Sequence, residues 1–127
     1  MWSPTRPARR RQPIQDRHPI EDRLRSAERQ LARGRLEAGA RKMLEIAEEK
    51  AHDLTLLNRI GDLLARAGQL EPGVDLFERI ARAYADDGFW AKAIAVYKKI
   101  LRYDPRRSDV HAQLAVLYQR SGLPTRG

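Results

Sequence analysis

Three histidines, the acid pairs Glu48-Glu49 and Asp86-Asp87 and one glycine-flanked stretch are residues of this chain whose types could do chemistry. His18, His52 and His111 stand far apart, and no His-Glu-x-x-His run places two imidazoles on one helix face. A metal needs several convergent donors, so surface or partly buried histidines are the plainer reading. Glu48-Glu49 and Asp86-Asp87 would act as an acid and a base only if each pair shared a site. Adjacent residues on a helix point about 100° apart. Glu48-Glu49 therefore reads as a solvated face and Asp86-Asp87 as part of a turn. The stretch "GRLEAG" (residues 34–39) lacks the lysine and the preceding strand that a phosphate-binding loop requires. There is no cysteine, which excludes disulfides, thiolate metal sites and thiol nucleophiles and fits a reducing compartment. The reading is a protein that is not an enzyme, with no catalytic, cofactor-binding or metal-ligating residue.

Charge is the next feature that could act at a distance. The 127 residues carry 25 basic and 17 acidic side chains, a formal net charge of +8. Residues 1–19 hold Arg6, Arg9, Arg10, Arg11 and Arg17 against Asp16 alone, so this segment is +4. It also has four prolines and few apolar residues beyond Trp2 and Ile14. Such a segment buries too little surface to offset its ordering entropy, and it reads as a disordered Arg/Pro-rich tail. Its arginines could draw nucleic acid or an acidic membrane by counterion release; a solvated extension is the plainer reading. No apolar run approaches the roughly 20 residues that span a membrane. No apolar segment follows the basic stretch as in a secretion signal. A cytoplasmic protein is expected.

The elements that would position any site are helices. Six are expected, over about 20–33, 36–50, 53–67, 70–86, 89–103 and 108–121, within one domain spanning 20–127. Gly34, Gly68, Gly88 and Gly122 follow four of them, where a left-handed C-cap favours glycine. Asp53 and Ser108 stand where a side-chain oxygen can cap a helix start. Pro72 falls in a first turn, where it is tolerated. Nothing alternates with period 2, so no strand is expected. Trp90 and Tyr97 could stack on bases, but their helical spacing favours packing. "YKKILR" reads as a solvated face before a basic patch.

Gly34 to Gly68 is 34 residues, and so is Gly88 to Gly122. A fixed period of this length marks a helical repeat array. Phe77, Ile80, Ala81, Tyr84, Gly88, Trp90, Ala93, Tyr97 and Pro105 resemble the tetratricopeptide (TPR) repeat. Partial copies run through Leu57, Ile60, Gly61, Leu64, Gly68, Leu70, Gly73 and Phe77, and through Leu114, Ala115, Tyr118 and Gly122. A weaker copy has Ala27, Gly34, Leu36, Gly39, Met43 and Ile46. Two copies start only 20 residues apart, so helix 70–86 and Phe77 serve both alignments. The last helix, with Leu114, Leu117 and Tyr118, has no evident cover, which allows self-association and reads as a truncated array, a fragment or a protein completed by a partner.

The resemblance implies an all-α, right-handed superhelix of helix-turn-helix repeats, like the modules of many larger bacterial proteins. It implies a scaffold or adaptor that binds a peptide or helix of another protein in a concave groove. The first helices would line that groove with Asn58, Arg59, Asp62 and Arg66, with Glu78, Arg79 and Arg82, and with Gln113 and Arg120. This arginine-rich set points to an acidic or mixed-charge ligand. A carboxylate clamp for chaperone tails is not expected, since Asp62 and Asp109 occupy positions where an acid would repel it. The alternative function is a nucleic-acid-associated factor that uses the basic tail, with the repeats as its dock.

Overall fold

Glycine turns divide the chain where the sequence places them. The computed structural model describes residues 19–123, and the tail arginines Arg6, Arg9, Arg10, Arg11 and Arg17 lie outside them. The described residues form six helices and no strand: α1 (Pro19–Ala32), α2 (Leu36–Glu49), α3 (Leu54–Arg66), α4 (Leu70–Asp86), α5 (Trp90–Tyr103) and α6 (Ser108–Ser121). Helix α1 opens one residue earlier than expected, at Pro19. Proline suits that place, because its missing N–H has no partner at a helix start.

Gly34, Gly68, Gly88 and Gly122 have φ of 83°, 84°, 79° and 69°. In three of these turns the same bonds recur: Arg35, Gln69 and Phe89 donate their N–H to the carbonyls of Gln30, Leu64 and Tyr84. Each closes a three-residue turn and folds two helices into a hairpin. The turns at 50–53 and 104–107 have four residues and no glycine. At the first, Asp53 caps α3 by accepting from the Leu56 N–H at 3.1 Å. Ser108 does not cap α6; the cap position is Arg107, whose guanidinium instead grips Asp109.

Glycine turns stand between α1 and α2, α3 and α4, and α4 and α5, so α4 belongs to two hairpins. It is also the longest helix, with 17 residues. The irregular repeat register is thus a feature of the fold. Against α3, the backbones meet: a Cβ at Gly73 would lie 2.9 Å from the Gly61 carbonyl oxygen, and one at Gly61 would lie 2.6 Å from the Phe77 ring. Toward α5, Ala81 and Ala93 are wholly buried. Ala115, the matching small residue of α6, is exposed instead.

Neighbours two apart in order also touch. Glu21 joins Arg59 (α1 to α3), Glu48 joins Arg79 (α2 to α4) and Asp62 joins Lys99 (α3 to α5). The odd helices therefore lie side by side in one layer and the even helices in the other, as in a helical repeat. The core between them is apolar, running from Leu24 and Met43 through Ile60, Leu64 and Phe77 to Ile100 and Val110. Each such side chain contributes about 1.5–3 kcal/mol, against roughly 0–1 kcal/mol for an exposed ion pair, so the core sets stability.

Helix α6 is better covered than the sequence implies. Leu114 and Leu117 are buried, and Tyr118 is partly buried with Lys98 above its ring. Its outward large apolar residue is Val116.

Gly73→Ala should cost about 1–3 kcal/mol in urea unfolding, because the new methyl meets rigid backbone. Ala115→Val, at an open position, should change stability by less than about 0.5 kcal/mol.

Candidate functional site

The residues expected to line one groove are divided between the layers. Asn58, Arg59, Asp62 and Arg66 belong to α3; Glu78, Arg79 and Arg82 belong to α4, and Gln113 and Arg120 to α6. Most of their polar atoms are already engaged within the chain. Lys99 Nζ lies 2.7 Å from Asp62 and donates to the Asn58 side-chain oxygen at 3.0 Å. Arg59 reaches Glu21 at 2.8 Å and Arg79 reaches Glu48 at 2.6 Å. Glu78 accepts from Arg82 and from Arg107. Arg66, Gln113 and Arg120 are exposed. These pairings join positions up to 41 residues apart, so helix spacing alone could not reveal them.

The acids of the sequence separate as their 100° offset requires. Glu48 turns to Arg79 of α4, whereas Glu49 turns to Arg23 of α1, with two bonds of 2.7 Å. The guanidinium holds the Glu49 carboxyl below its usual range. His111 is exposed, and its Nε2 stands 3.1 Å from the Pro105 carbonyl, tying down the turn before α6. Tyr97 is buried, which raises its phenol pKa. Among the described residues no three histidines or acids gather as a metal site would require.

A larger feature lies along α2. Its outer face and the start of α4 enclose an open cleft of about 680 Å³. The apolar floor is Ala40, Leu44 and Pro72; Glu37, Glu45, Glu48 and Glu49 form the walls, with Arg41 the one base lining it. Helices α2 and α3 meet over few residues, at a turn without glycine. That loose junction leaves α2 standing off from the start of α4. Glu48 and Glu49 are partly neutralised by Arg79 and Arg23. Glu37 and Glu45 form no ion pair among the described residues; Glu45 feels the Arg23 charge at longer range, and both add negative charge to the cleft. In the sequence these two glutamates look like ordinary exposed helix residues.

A smaller cleft of about 380 Å³ opens between α3 and α5, where Asn58 meets Thr55, Tyr84, Lys92 and Val96. Lys92 does not reach out from it as a free cation: its ammonium lies 5.6 Å from the Tyr84 ring centre and 5.2 Å from that of Phe89. Lys98 and Lys99 likewise lie over Tyr118 and Phe77. The basic face of α5 is thus largely turned to its own aromatics.

At the other end, Arg107 bridges Asp109 and Glu78. Its hydrogen bonds push the Asp109 carboxyl down to about 2. Asp75 is shifted upward, by partial desolvation and then by repulsion from Glu78 and Glu71. No protein-family model matches the chain, and no curated protein matches it. No helix among the described residues is long and apolar enough to cross a membrane.

The two carboxyls should act oppositely on stability. Asp109 has a folded pKa below its ordinary 3.8, so its contribution is complete above about pH 4 and is lost as pH falls toward 2. Asp109→Asn should lower Tm at pH 7 and flatten that acid limb. Asp75 is raised, so its ionised form opposes folding. Asp75→Asn should increase Tm at pH 7, and the gain should shrink and vanish as pH falls below the ordinary 3.8, where both states of the wild type become protonated. Tm against pH for the two variants checks both signs.

Proposed function

We propose that this chain is a non-catalytic protein–protein interaction module, a TPR-like cytoplasmic scaffold or adaptor that holds a segment of a partner protein. The observation that carries this reading is the α2–α4 cleft, open to solvent, with an apolar floor and unpaired glutamates on its wall. A groove of this kind accepts an extended or helical segment through buried apolar contacts, while charge selects the partner.

The chemistry of the cleft favours a cationic partner segment over the acidic one that the arginines alone imply. Arg59, Arg79 and Arg82 each face a glutamate of this chain. An acidic ligand would have to displace those carboxylates. A basic ligand meets Glu37 and Glu45 directly. The alternative, a nucleic-acid-associated factor, rests on the tail arginines; the lysines of α5, engaged with rings and Asp62, lend it little.

Calorimetric titration of the full chain with a short arginine-rich peptide, its glutamate-rich counterpart and a single-stranded oligonucleotide should give binding to the first only. Glu37→Lys with Glu45→Lys should weaken that binding about tenfold or more and leave the circular dichroism spectrum unchanged. Preference for the acidic peptide would overturn the cleft reading, and preference for the oligonucleotide would favour the alternative.

A further inference from the structure

Residues 1–18 enter the fold close to this cleft. They join α1 at Pro19, one helical turn before Arg23. Arg23 in turn holds Glu49, which lines the cleft. One turn is about 5.4 Å of axial rise, whereas 18 extended residues reach about 60 Å. The segment can therefore run the whole length of α2.

Its composition matches what the cleft lacks. Five arginines and one aspartate make it +4, and the cleft walls carry four glutamates against Arg41. Trp2, Ile14 and the prolines supply apolar groups for a floor of Ala40, Leu44 and Pro72. Covalent attachment makes the encounter intramolecular, with an effective concentration in the millimolar range for a short flexible linker. A contact too weak to form between separate molecules can then be well populated.

Building on the docking function assigned above to this cleft, we infer that its occupant in the isolated protein is the chain's own N-terminal segment, with Arg9, Arg10 and Arg11 against Glu37 and Glu45. The segment then acts as a tethered competitor. A partner's basic stretch must displace it, and salt or an acidic molecule that draws the arginines away opens the cleft.

The chain has no cysteine, so Ser3→Cys accepts a single nitroxide. In the 15N-labelled full chain, the label should broaden the amides of Ala40, Leu44 and Glu45 and spare Val116. The effect should persist on tenfold dilution and be lost with Arg9→Ser, Arg10→Ser and Arg11→Ser, changes at positions outside the six described helices. That triple variant should also bind a free arginine-rich peptide about tenfold more tightly than the wild type, since the tethered competitor is gone. Broadening spread evenly over the helices would overturn the inference. So would broadening that appears only when labelled and 15N chains are mixed, which would assign the cleft to a second copy. If the triple variant binds the peptide but the label shows no bias, the inference falls and the docking function stands. If neither occurs, both fall.

Discussion

The Phe77 ring has to satisfy two hairpins at once, and the rest of the array is arranged around that demand. On one side it fills the space left by Gly61, where any side chain would collide with it. On the other, the Lys99 ammonium lies 4.3 Å from its centre and the Tyr103 ring stacks at 5.9 Å. Burial of the ring contributes about 1.5–3 kcal/mol, and the cation over its face adds about 0.5–2 kcal/mol. The geometric consequence is larger than either figure. Because α4 serves as second helix to α3 and as first helix to α5, these three become one close-packed unit. The hairpin of α1 and α2 joins that unit through a thin α2–α3 contact and through Glu21–Arg59 and Glu48–Arg79. Exposed pairs of this kind are worth roughly 0–1 kcal/mol each. They set the register of the hairpin without closing the gap beside it, and that gap is the cleft.

Charge then divides the molecule into a satisfied part and an unsatisfied one. The bases of α3 to α5 are largely consumed internally, by Asp62, by glutamates of neighbouring helices and by aromatic rings. Helix α2 carries Glu37, Glu45, Glu48 and Glu49 against Arg41 and Lys42, and among the described residues two of the four, Glu48 and Glu49, form ion pairs with arginines. The +8 of the whole chain is therefore a poor guide to its surface. Half of that excess belongs to the first 19 residues, while the α2–α4 cleft is lined by four glutamates against one arginine. Net charge describes the long-range field; selection of a ligand depends on which charges lack a partner at close range.

The turns and the core were legible in the sequence because their causes are local. Glycine at 34, 68, 88 and 122 adopts the left-handed backbone its position demands, and the residues after the first three close the turns with equivalent hydrogen bonds. The double role of Phe77 was legible too, as two overlapping alignments. What the sequence concealed depends on how helices lean on each other. Leu114 and Leu117 looked uncovered because nothing follows α6 in the pattern, yet both are buried where α6 packs on α5. Three arginines that looked available for a ligand, Arg59, Arg79 and Arg82, are held by carboxylates 38, 31 and 4 positions away, and long flexible side chains leave no periodic trace of such choices. Ser108 was displaced as a cap because Arg107 had a stronger bond to make with Asp109.

The two irregularities of the array have one physical origin. A glycine turn brings its helices into a tight hairpin, and a turn without glycine leaves them freer to separate. Between α4 and α5 a glycine turn occupies the place of an inter-repeat connection, and the packing there is close, with Ala81 and Ala93 wholly buried. Between α2 and α3 there is no glycine, and the helices diverge. A perfectly periodic array would bury the α2 face against α4 as it buries α4 against α5. Glu37 and Glu45 would then be intolerable, because unpaired carboxylates cannot be desolvated cheaply. Their exposure in an apolar-floored cleft depends on the broken repeat. The same lapse in pattern that loosens the fold at α2 is what leaves it a surface with both apolar area and uncompensated charge to offer.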